Sequence, residues 1–135
     1  MKPQFHPISK MPLLEEGING IVESSEEQLS SLNKAKDKPY IFDDAIVVRI
    51  LKVFSEQKEY LKLYEKQFNL WQKGKTSVQQ SNKLKELQLK LNKAKSLNAE
   101  ILKLAKQFKN KTIEKVMEKN DLELALDFLT DYDIK

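Results

Sequence analysis

The segment from Phe42 to Gly74, FDDAIVVRILKVFSEQKEYLKLYEKQFNLWQKG, constrains the fold more than any other part of the chain. Its apolar residues fall in two adjacent rows. One row holds Ile46, Ile50, Val53, Tyr60, Tyr64 and Trp71; the other holds Val47, Leu51, Phe54, Leu61 and Phe68. Steps of three and four are the α-helical period, and two rows together are wider than the stripe of a two-stranded coiled coil. A face of that width predicts a helix lying against two neighbours. Its ends are marked as well. Asp43 is placed to cap the first free N–H groups, Phe42 and Val47 occupy the two staple positions, and Gly74 suits a left-handed helix end.

Beyond Gly74, Ser77 and Gln80 have the spacing of a capping box. A third helix then repeats Leu84, Leu87, Leu91, Ala94, Asn98, Ile101, Ala105 and Phe108 in strict three-four alternation. That register holds for more than three heptads, and the polar Asn98 in a core slot is expected to fix it. Residues 77–110 span ~51 Å and residues 43–73 ~46 Å at 1.5 Å per residue, so the two fit an antiparallel hairpin. A turn centred on Gly74 sets Tyr64 beside Leu84 and Ile50 beside Asn98. A first helix, from Pro12 to about Lys36, carries Leu14, Ile18, Ile21, Val22, Leu29 and Leu32 on one side. Gly17 and Gly20 weaken its first half by about 1 kcal/mol each relative to Ala. Asn19-Gly20 is also a turn signal, which leaves the helix start open there. A loop over 37–41, containing Pro39, leads into the second helix.

These elements predict an all-α fold: an elongated antiparallel three-helix bundle, up-down-up, with a coiled-coil-like hairpin of helices 2 and 3. Residues 1–11, with Pro3 and Pro7, form an extended tail free to lie along the bundle; residues 12–110 form the bundle. Residues 111–135 form short C-terminal helices, broken at Asn120-Asp121 and packed on the bundle end. The chain holds three Gly and four Pro, few interruptions for 135 residues, and no segment alternates like a strand.

Chemistry is sparse. There is no Cys, and the one His is His6 in the tail, so thiolate zinc sites, His-dependent triads and Glu-x-x-His metal pairs find no residues. Three glycines cannot build a phosphate-cradling loop. The pairs Glu15-Glu16, Glu26-Glu27 and Asp43-Asp44 are adjacent along the chain, and neighbouring helical side chains diverge. The expectation is a protein that is not an enzyme, with no cofactor, no metal and no small-molecule ligand. No apolar run approaches the ~20 residues of a membrane span. The N-terminus lacks the apolar core of a signal peptide, so the expected compartment is cytoplasmic.

Charge is uneven. Residues 73–119 hold thirteen Lys and four Glu, whereas residues 11–72 carry −3 and residues 120–135 carry −4. The third helix's lysines scatter around it, with no single basic stripe. Arg occurs once, at Arg49, and Phe108, the helix's one aromatic, falls in the seam, so neither base reading nor base stacking is supplied. The aromatics of the second helix are expected in the core, with the Tyr60 and Tyr64 hydroxyls at its edge. Long apolar helices without site chemistry predict a non-enzymatic protein–protein interaction or scaffold module. Self-association is suggested by the long heptad seam, which one partner helix leaves partly uncovered. The acidic, apolar C-terminal stretch offers Leu122, Leu126 and Leu129 as a candidate partner interface. The competing reading is a nucleic-acid-binding accessory protein, with Lys103, Lys106 and Lys109 as the phosphate contacts.

Overall fold

The computed structural model describes residues 5–115, 117, 118 and 126. Three long helices make the fold: α1 (Met11–Lys34), α2 (Asp44–Lys73) and α3 (Val78–Phe108). Short 3₁₀ turns, Ile8–Lys10 and Pro39–Ile41, precede α1 and α2. No strand occurs among the described residues, and the chain is an all-α three-helix bundle. No described helix is long and apolar enough to cross a membrane.

The helix ends follow their local chemistry. Asp43 accepts a hydrogen bond from the Ile46 amide at 2.7 Å, and Phe42 and Val47 meet in one apolar cluster. Ser77 and Gln80 close the capping box at α3, each bond 3.0 Å. α1 begins one residue ahead of Pro12, which sits in its first turn, and it runs unbroken through Asn19-Gly20 to Lys34. Gly74 departs from expectation. Its φ of −85° and ψ of −180° are extended, because the chain leaves α2 through a four-residue connection instead of folding back on its last turn.

That connection moves the hairpin axis past Gly74. Asn98 accordingly donates to the Phe54 carbonyl at 2.9 Å, one turn beyond Ile50, the neighbour expected for it. The α3 seam is covered inside the molecule: every position from Leu84 to Phe108 in the three-four series is buried. α3 is the hub, running closely beside both α1 and α2. α1 buries Met11, Ile18, Ser25 and Leu32, which are spaced seven apart, a narrow stripe aimed into the bundle.

The wide face of α2 is only partly used. Val47, Ile50, Phe54, Leu61, Tyr64, Phe68 and Trp71 are buried, and with half-buried Gln57 they trace one heptad seam. Ile46, Val53 and Tyr60 lie on its flank, 42%, 46% and 52% exposed. The two-row reading merged a sealed seam with an open flank. The described part of the tail lies along the bundle: Trp71 Nε1 donates to the His6 carbonyl at 2.9 Å, and the His6 amide donates to Gln67 Oε1 at 2.7 Å. These two bonds pin the chain to the last turns of α2 before α1 begins.

Candidate functional site

Two surfaces stand out, one on each side of α2. On the α1 side the helices meet through side chains, and the aromatic ladder Tyr60–Tyr64–Phe68–Trp71 runs along α2 with centroids 5.3, 6.1 and 6.1 Å apart. The Tyr64 hydroxyl is not at the bundle edge as expected; it points at Gly17 of α1, where an added Cβ would overlap it. Burial pushes the Tyr64 phenol up to about 12, and adjacent Tyr60 adds to the shift. The phenol therefore keeps its proton further into the alkaline range than a free tyrosine does. Lower down, Gln57 Nε2 reaches Ser25 Oγ at 3.2 Å. A cleft of about 360 Å³ opens here between Leu13 and Gly17 of α1 and Tyr60 and Leu63 of α2, with Phe5 at its mouth. Its rim is apolar and exposed: Leu13 59%, Tyr60 52%, Phe5 43%.

On the α3 side a groove of about 590 Å³ gathers five lysines: Lys58 and Lys62 from α2, and Lys95, Lys103 and Lys106 from α3. Leu61, Ala99 and Leu102 also line it. Lys95 pairs with Glu65 at 2.5 Å and Lys62 with Glu59 at 2.9 Å. Lys58, Lys103 and Lys106 have no ion pair among the described residues. On the other flank of α3 two lysines reach α1: Lys83 meets Glu15 at 2.6 Å, and Lys93 meets Glu26 at 2.7 Å. The Glu15 carboxylate beside it raises the Lys83 pKa above its ordinary value.

Of the lysines expected to touch nucleic acid, Lys103 and Lys106 share this groove, whereas Lys109 lines a separate hollow with Asp44 and Lys115. The basic stripe missing from α3 alone emerges once α2 contributes Lys58 and Lys62. A single-helix register cannot show it. Of the expected docking leucines, Leu126 is helical and 55% exposed; Leu122 and Leu129 lie outside the described residues, as does the break at Asn120-Asp121.

The spacing of the α2 flank row shows in the sequence, but spacing alone does not separate it from the core. Arg49 and Glu56 stand beside it, and neither has an ion pair or side-chain hydrogen bond among the described residues. Among the described residues no group of three or more His, Cys, Asp or Glu is arranged to hold a metal ion. No family model, curated protein or solved structure matches this chain.

Proposed function

We propose that this chain is a non-enzymatic helical interaction module, a scaffold or adaptor working in the cytoplasm, which docks a helix along the open α1–α2 side. One observation carries the proposal. Ile46, Val53 and Tyr60 repeat at seven-residue intervals on a helix whose own seam is already filled, and they end exposed in line with the apolar cleft. Exposed apolar rows of this regularity match the anchors of helix-in-groove recognition. Photo-crosslinkers at Tyr60 and at exposed Glu100 on α3 test this in native cells. A discrete product from Tyr60, lost in Val53→Asp and missing from the Glu100 position, is the expected result. Identical products from both positions would refute it.

The convergence of five lysines favours a second reading, nucleic-acid binding in the α2–α3 groove. Titration with duplex DNA and with RNA at two salt concentrations separates the two. Tight binding reduced at least about tenfold by Lys103→Glu with Lys106→Glu, and less by Lys109→Glu, supports the groove; weak binding lost equally with any lysine is generic charge.

A further inference from the structure

We infer that the occupant of the α2 flank is a second copy of this chain, its α2 laid antiparallel about a two-fold axis at Val53. The inference rests on the interaction reading above and names the partner. Ile46 and Tyr60 are each seven residues from Val53, so an axis there sets Ile46 of one copy against Tyr60 of the other. Val53 meets itself. Arg49 precedes Val53 by four residues and Glu56 follows it by three, so each Arg49 comes beside the other copy's Glu56, twice over.

Both charged groups lack ion partners among the described residues, and the two-fold pairing satisfies both together. A parallel pairing instead sets Arg49 against Arg49 and Glu56 against Glu56, a like-charge arrangement that costs stability. Two-fold interfaces are self-complementary in this sense: a patch must match its own reverse. Apolar, basic, apolar, acidic, apolar along Ile46, Arg49, Val53, Glu56 and Tyr60 does so. The α3 seam, sealed within the bundle, cannot serve this role. The row is short, ~21 Å from Ile46 to Tyr60, so association is weak and concentration-dependent.

The absence of native cysteine makes the register directly readable. Under mild oxidation Val53→Cys should give a disulfide-linked dimer. Ile46→Cys alone should not, whereas Ile46→Cys mixed with Tyr60→Cys should, because a disulfide needs Cα atoms within about 7 Å. In light scattering Arg49→Glu should raise the concentration for half-dimerisation about tenfold, and mixing it with Glu56→Arg should restore pairing. Circular dichroism confirms that each variant keeps its helices. Self-crosslinking of Ile46→Cys, or equal crosslinking at all three positions, overturns the antiparallel pairing. A strict monomer at every concentration, with a foreign protein still crosslinked from Tyr60, overturns the second copy alone. A strict monomer with no Tyr60 product overturns the interaction reading too.

Discussion

Gly17 and Gly20 lie one turn apart on α1 and play opposite parts. A Cβ at Gly20 would meet nothing within 4 Å, so Gly20→Ala should stabilise by up to about 1 kcal/mol through helix propensity alone. At Gly17 the same methyl overlaps the Tyr64 hydroxyl, whose ring is held edge-on between Tyr60 and Phe68. Gly17→Ala should therefore destabilise, and less so in a Tyr64→Phe background; urea denaturation of the four variants gives the coupling. The sequence shows both glycines as helix weakeners, and at Gly20 the open space around a Cβ leaves that reading to stand on helix propensity alone. The role of Gly17 depends on a tyrosine 47 positions away, and no local pattern carries that information. Tyr64 also sets an alkaline limit. Its folded pKa of about 12 lies above the ordinary 10.0, so its contribution is complete below pH 10 and is lost as pH rises towards 12, where the unfolded chain ionises first. Tyr64→Phe should remove that part of the loss, seen as a shallower fall of the unfolding midpoint between pH 10 and 12.

At the scale of the elements, α3 was legible because its heptad is strict and one-sided, and capping residues marked both α2 and α3 at their starts. α2 was harder to read. Its seam at Val47, Ile50, Phe54, Leu61, Tyr64, Phe68 and Trp71 is as regular as that of α3, but apolar neighbours on the flank blurred it into a broad face. Flank residues of a bundle helix are ordinarily polar, so Ile46, Val53 and Tyr60 mimic core until the neighbours' positions are known. Asn98 is 2% exposed, and its side chain donates across to the α2 backbone. Asn98→Ala should cost about 1 kcal/mol or more, read from the denaturation midpoint: Phe54 keeps its helical hydrogen bond, but the cross-helix donor is lost and a space is left in the seam.

Across the whole molecule, the chain following α3 turns back to fasten the start of α2. The Ile113 amide donates to the Phe42 carbonyl at 2.8 Å, and the buried Thr112 hydroxyl donates to Asp44 Oδ1 at 2.5 Å. Glu114 in turn accepts from the Asp44 amide at 2.8 Å, an acidic group at a helix N-terminus. Phe42 and Phe108 stack beside this clasp at 5.8 Å. Thr112→Val keeps the shape but leaves Asp44 short of a buried donor. The expected cost is about 1.5 kcal/mol or more by thermal denaturation, and Glu114→Gln, being exposed, should cost less. The sequence reading sets this segment at the end of the bundle but not on Asp44, because hydrogen bonds spanning about seventy positions leave no periodic trace.

The placing of α3 has a consequence for synthesis. The rod that the other two lean on is the last of the three to be made, so α1 and α2 leave the ribosome without the surface that matches them. The larger part of their greasy stripes stays wet until α3 is there to cover it, so completion of this core is expected late in synthesis, after the chain has been made as far as about residue 108.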